Sequence, residues 1–170
     1  MTTPTLDVVR SFLAGTGTDD RGRTVQQILQ QDDRWLEYTH DFIQWLFPID
    51  APSSVNPSAP VVAPAAAKEL GAEEKIVDNL CAAFVRMAAF YGFAVKDDCI
   101  EKAANYSSRA RLWAVKPTHN DLRITRILRS LTLFGLIAEA QRFHDVALAA
   151  VRECREETAV QRYWAAALRV

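Results

Sequence analysis

Apolar side chains in this chain return every three or four residues and almost never every second one, a rhythm that confines it to helices. From Ile76 to Tyr91 the residues Ile76, Val77, Leu80, Phe84, Met87 and Tyr91 fall on one face, as an amphipathic helix requires. Glu73 and Glu74 favour the start of this helix through its dipole, and Gly92 suits a left-handed end. Between Arg34 and Phe47 the residues Trp35, Leu36, Thr39, Phe42, Ile43, Leu46 and Phe47 repeat in the same way. They predict one continuous core helix, stopped by Pro48 because the residue before a proline is pushed out of helical geometry. Between 118 and 134 the core face is Ile124, Ile127, Leu128, Leu131 and Phe134, with Leu122 and Leu133 emerging on the other side.

The remaining elements are weaker. Residues 4–13 predict a short opening helix, and a segment from Thr24 carries Val25, Ile28 and Leu29 before a polar run that ends at Asp33, a residue able to cap the next helix. Five prolines between 48 and 64 predict an extended connection over the surface. Short helices are expected near Cys99–Ala104 and Tyr106–Val115, and one long or two shorter helices over 136–168. Thr118 and Asp121 read as a variant capping box. The expected architecture is all-α: one domain over 1–170, an irregular bundle of seven to nine helices, with no strand.

Composition limits the functions open to such a bundle. The net charge of −1 supplies no general attraction to nucleic acid or acidic membranes, and no apolar run approaches the ~20 residues that span a bilayer. Cys81, Cys99 and Cys154 are odd in number and form no C-x-x-C pair. They fit neither a disulfide framework nor a closed zinc site, so a reducing, cytoplasmic setting is expected. His40, His119 and His144 lack Cys or Glu companions at ligand spacing, Gly15 and Gly17 follow no strand and precede no Lys-Ser or Lys-Thr pair, and Ser107-Ser108 lies outside any nucleophile elbow. No catalytic residue, metal site or cofactor is expected.

Two stretches go beyond generic helix. Leu36-Glu37-Tyr38-Thr39-His40-Asp41-Phe42-Ile43-Gln44-Trp45-Leu46-Phe47-Pro48 is one, and Thr118-His119-Asn120-Asp121-Leu122-Arg123-Ile124-Thr125-Arg126-Ile127-Leu128-Arg129-Ser130-Leu131 the other. Both resemble signatures of the opioid growth factor receptor family, in the same order, and the likeness runs over residues 24–136, leaving 137–170 as C-terminal helices. The resemblance implies a receptor for an endogenous opioid peptide that restrains growth, acting at the nucleus and its surrounding membranes. This chain carries no basic targeting run.

On one helix over 34–47, Tyr38 and Trp45 would share a second stripe beside Asp41 and Gln44. Such aromatic residues at a partly polar surface anchor interfaces well; the alternative is that the proline-rich segment folds back over them. On the later helix His119, Arg123, Arg126 and Ser130 form an arc, and residues 109–129 hold six Lys or Arg against one acid, Asp121. An arginine arc near a helix start suits phosphate or carboxylate. The competing reading pairs those arginines with Asp32, Asp33, Glu37 and Asp41 across the core, with Gln44 and Asn120 as buried hydrogen-bonders of the same network.

The function expected is a non-catalytic binding module for a peptide or protein partner, one able to present an acidic group. Its candidate contacts are Tyr38, His40, Asp41, Gln44, Trp45, His119, Asn120, Arg123 and Arg126. One alternative is a small intracellular enzyme or an anion- or nucleotide-sensing domain built on His119, Arg123 and Arg126. Another is a structural protein that dimerises through its terminal helix, with Tyr163 and Trp164.

Overall fold

The structure, a computed structural model, describes residues 3–53 and 56–169. It is 59% helical, with ten helices and one small two-stranded sheet among the described residues. The mostly helical fold expected from the periodicity is what forms. The contacts divide the chain into two compact units, residues 1–83 with 133–135, and residues 84–132 with 136–170.

The first unit opens with α1, Leu6–Leu13, which buries Val9, Phe12 and Leu13. Helix α2, Val25–Leu29, starts at a capping box between Thr24 and Gln27. Helix α3, Asp33–Tyr38, is capped by Asp32, whose carboxylate accepts from the Trp35 amide at 2.7 Å; Asp33 is already inside the helix. The chain then leaves helical geometry at Thr39, φ −101° and ψ 128°, and resumes as α4, Ile43–Leu46. The single helix expected over 34–47 is therefore two, and the shared stripe of Tyr38 and Trp45 does not exist. The reason is tertiary. Asp41 sits in the break and takes hydrogen bonds from Arg21 and Arg23, at 3.1 and 2.9 Å, and charge-assisted bonds of this kind outweigh a turn of intrinsic helix propensity.

The proline-rich connection also differs from expectation. Ile49 and Val61 form a parallel bridge, with the Val62 amide donating to the Ile49 carbonyl at 3.0 Å. Ala59 and Val62 are buried, so this part of the connection belongs to the interior. Pro64 then begins α5, Pro64–Leu70, a helix absent from the sequence reading; proline suits the first helical position because its missing N–H would be unsatisfied there anyway. The N-terminal part of α6, Glu74–Tyr91, completes this unit. Its Asn79 donates to the Leu13 carbonyl at 2.7 Å and accepts from Gln26 at 3.3 Å.

In the second unit α6 ends at Gly92, with φ +91°. A Cβ there would lie 2.8 Å from the Tyr106 Cα, so both the dihedral and the close approach exclude other residues. Strand β1, Phe93–Val95, pairs antiparallel with β2, Ile100–Lys102, in the register Phe93↔Lys102 and Val95↔Ile100. This hairpin replaces the short helix expected near Cys99–Ala104. Three-residue strands are too short to alternate visibly, and only the pairing itself satisfies their backbone groups. Helix α7, Tyr106–Trp113, leads to α8, His119–Leu133, and then to α9, Ile137–Cys154, and α10, Ala159–Ala167.

The core of this unit is aromatic. Tyr91 and Trp113 meet edge to face at 5.3 Å, Phe84 and Phe143 at 5.4 Å, and Phe93 lies 5.4 Å from Tyr106. Aromatic pairs prefer such tilted and edge-on geometries because the ring edge is positive and the face negative. The Trp113 indole nitrogen donates to the Tyr91 carbonyl at 3.1 Å. The expected core face of α8 is buried throughout.

Candidate functional site

The first unit holds an open cleft of 1240 Å3. Four separate segments wall it: Thr3, Pro4, Thr5 and Val8 at the start of α1; Thr18 to Arg21 in the loop before α2; Tyr38 to Asp41 and Trp45 around the break between α3 and α4; and Asn56, Pro57 and Ser58 of the connection. The proline-rich segment therefore returns to the first signature, but covers its aromatic residues unequally. Trp45 is 2% exposed, packed edge to face on Phe12 at 5.3 Å, whereas Tyr38 stands 75% exposed.

Beside the cleft runs a chain of ion pairs. The buried Asp19 carboxylate accepts from the Arg21 and Arg23 amides, at 2.9 and 2.8 Å, and from the Arg23 Nε at 2.6 Å. Arg23 continues to Asp41, and Arg21 reaches the other oxygen of Asp41. Burial of the Arg23 guanidinium works against its charge, but the hydrogen bonds and charges of Asp19 and Asp41 more than offset it, holding Arg23 above the ordinary arginine value. Asp41 is thus neutralised by Arg21 and Arg23, the partners that the sequence reading had placed on the second signature. Asp20 makes no hydrogen bond or ion pair among the described residues, and leaves an exposed carboxylate on the cleft wall.

Gln44 and the Trp45 indole lie inside the unit. The Gln44 Oε1 and Trp45 Nε1 are buried without a hydrogen-bond partner, so Gln44 does not join the network expected of it. Buried polar atoms are nearly always satisfied, and these two adjacent exceptions lie next to the cleft in sequence.

The second signature is a different kind of place. Asp121 is buried and is bonded through every acceptor it has. Its carboxylate takes Arg155 Nη2 at 2.6 Å, Gln161 Nε2 at 3.2 Å and the Thr118 amide at 2.8 Å, and its carbonyl takes the Trp164 indole at 2.9 Å. The capping pair of Thr118 and Asp121 forms as expected, with the Asn120 amide donating to the Thr118 hydroxyl at 3.2 Å. Asn120 and Arg123 are buried too: Tyr91 and Arg123 both donate to Asn120 Oδ1 at 3.4 Å. Arg126 is largely enclosed, and burial lowers its pKa to about 10, so it stays cationic at neutral pH. His119 is exposed at the start of α8.

Of the sequence candidates, then, Tyr38, His40, Asp41 and Trp45 line one cleft, Gln44 is buried beside Trp45, and Asn120 and Arg123 are internal. Asp19, Asp20, Arg21, Thr3 to Thr5 and Asn56 to Ser58 were missed; no local pattern marks them, because the cleft exists only once the segments meet. Among the described residues no three or more His, Cys, Asp or Glu gather as metal ligands, and no helix is long and apolar enough to cross a membrane.

Comparison with known proteins agrees with the two signatures. Residues 19–164 match the family model described as the opioid growth factor receptor (OGFr) conserved region. The human opioid growth factor receptor is 36% identical over 121 residues, covering 68% of this chain and 18% of its own length. The rat receptor is 35% identical with 20% of its length covered, and the mouse opioid growth factor receptor-like protein 1 is 29% identical over 119 residues with 25% covered. The chain thus spans a quarter or less of these relatives. No solved structure matches it.

Proposed function

Because the chain belongs to the family defined by the opioid growth factor receptor conserved region, we propose that it is a non-catalytic binding module whose partner, a peptide or an extended protein segment, enters the cleft of the first unit. The observation that carries this reading is the cleft itself. It gathers Tyr38, His40, Asp41 and Trp45 from one family signature around a single opening. Its 1240 Å3 exceeds the ~300–1000 Å3 usual for small-molecule sites, a size that suits several linked residues better than one compact ligand.

The chemistry of the wall indicates what such a segment presents. Tyr38 projects far into solvent and offers a rigid aromatic face with a hydroxyl at its tip, a good anchor because little conformational entropy is lost on contact. The unpaired carboxylate of Asp20 favours a cationic group on the partner. The relatives are named receptors for opioid growth factor, which makes that peptide the first probe to use here. The buried and mutually bonded state of Asn120 and Arg123 weighs against a catalytic or nucleotide-sensing reading built on that arc.

Isothermal titration of opioid growth factor into the chain, beside a scrambled peptide of the same composition, tests the reading. Saturable binding that Tyr38→Ala weakens about tenfold or more, with the melting temperature unchanged, is the expected result. Equal heats from both peptides, or unchanged affinity in Tyr38→Ala and Asp20→Asn, would remove the cleft as the site.

A further inference from the structure

We infer, on the reading of the cleft as the binding site, that Arg21 is an internal stand-in for an arginine of the partner. It occupies Asp41 in the free chain and gives up that place when the partner's guanidinium enters.

The charges of the wall select a cation. Three carboxylates, Asp19, Asp20 and Asp41, and one guanidinium, Arg21, line the cleft. Arg23 is the other arginine in contact with these acids, bonded to Asp19 and to Asp41. Two guanidinium groups thus meet three carboxylates, and the surplus falls on Asp20, which has no ion pair or hydrogen bond among the described residues. An anionic group entering here would meet net charge of its own sign.

Asp41 is held unequally by its two arginines. Arg23, with its side chain 20% exposed, gives Nη2 to Asp41 at 2.9 Å and Nε to Asp19 at 2.6 Å. Arg21 is 62% exposed and reaches Asp41 through Nε alone, at 3.1 Å. Its two Nη groups have no partner among the described residues. An ion pair this exposed contributes little, whereas the twice-bonded, shielded Arg23 is held firmly. The backbone under Arg21 need not move for the pair to open: its amide donates to Asp19 Oδ1 at 2.9 Å, and the Gly22 amide to the Asp19 carbonyl at 3.0 Å. Rotation of one exposed side chain is enough to release Asp41, which is itself 30% exposed.

A partner's arginine would then find two carboxylates on one wall, the uncommitted Asp20 and the released oxygen of Asp41. The planar guanidinium serves carboxylates through paired N–H groups that an ammonium lacks. Tyr38, on the same wall and 75% exposed, offers a ring face to such a cation. The wall also holds an unmet donor: Trp45 is 2% exposed and its Nε1 has no acceptor. A backbone carbonyl of the entering segment is an acceptor of the kind that buried donors normally have.

The test is a nuclear magnetic resonance titration of the whole chain with a blocked pentapeptide of glycine and one central arginine. The control carries citrulline, the neutral analogue of arginine, at the same place. The arginine peptide should shift the amides of Thr18 to Arg21 and of Tyr38 to Asp41 saturably, more weakly as salt rises, and the citrulline peptide should not. At saturation the Arg21 Nε–H resonance, identified by its loss in Arg21→Lys, should move to the position of a solvated side chain. Arg21→Ala should tighten binding of the arginine peptide about threefold, because the competitor is gone, and Asp20→Asn should weaken it about threefold or more. Both side chains are exposed, so melting temperatures should hold. An Arg21 Nε–H that stays in place at saturation, equal binding of the citrulline peptide, or weaker binding in Arg21→Ala, as a purely structural Arg21 would give, overturns the stand-in. Opioid growth factor binding the cleft alongside any of these results leaves the binding site intact; no binding of that peptide or of the arginine peptide removes both.

Discussion

Asp121 is the residue on which most of the second unit's polar interior converges. It closes the cap of α8, pairs with Arg155 beyond α9, and holds Gln161 and Trp164 of α10. Asp121→Ala would strand a buried arginine, and stability should fall by about 3–5 kcal/mol, measured by denaturant unfolding. The capping role was legible, since Thr118 and Asp121 have the right spacing. The bonds to Arg155 and Trp164 were not, because a carboxylate three residues from a threonine says nothing about partners 34 and 43 positions away. Tyr106 gives a second residue-scale prediction. Burial first, then the negative charge of Glu153, raises its phenol from 10.0 to about 12. The unfolded chain therefore releases this proton earlier than the folded one, so the contribution of Tyr106 to stability is complete below pH 10 and is lost as pH climbs towards 12. Ultraviolet difference absorbance should show a late tyrosinate step near pH 12 that Tyr106→Phe removes.

At the scale of elements, the long periodic helices were readable and the short ones were not. The stripes of α6 and α8 repeat over several turns, and burial along them follows the sequence closely. The 34–47 stretch has an equally good stripe, yet breaks at Thr39 to Phe42 because Arg21 and Arg23 hold Asp41 in a non-helical position. Arg23→Ala should therefore cost about 1–3 kcal/mol, the usual loss for hydrogen bonds to charged groups, and should loosen Tyr38 to Asp41 in amide hydrogen exchange. The terminal helix was a candidate dimer contact, but Trp164 is fully buried and bonded to Asp121 within its own unit; only Tyr163 remains outside. Truncation before Glu157 should consequently abolish cooperative unfolding of the second unit instead of dissociating a dimer, which calorimetry and light scattering together would distinguish.

For the molecule as a whole, circular dichroism should be dominated by helix, at about the 59% found here; a spectrum with substantial strand would contradict the fold. The family was readable because two long, specific stretches occur in order. The candidate cleft was readable only in part. Tyr38 and Trp45, beside Asp41, were singled out for a helix stripe that does not form, and with His40 they line one cleft for another reason: the break after α3 brings them together with the α1 start, the Thr18–Arg21 loop and Asn56–Ser58. By itself the sequence determined the helical class, the long helices, the α8 cap and the family, since periodicity, capping and motif spacing are properties of neighbouring residues. Only the tertiary structure decided where helices break, which carboxylate takes which arginine, and which four segments wall the cleft. Those outcomes depend on groups far apart in the chain competing for the same hydrogen bonds, and no local window contains both competitors.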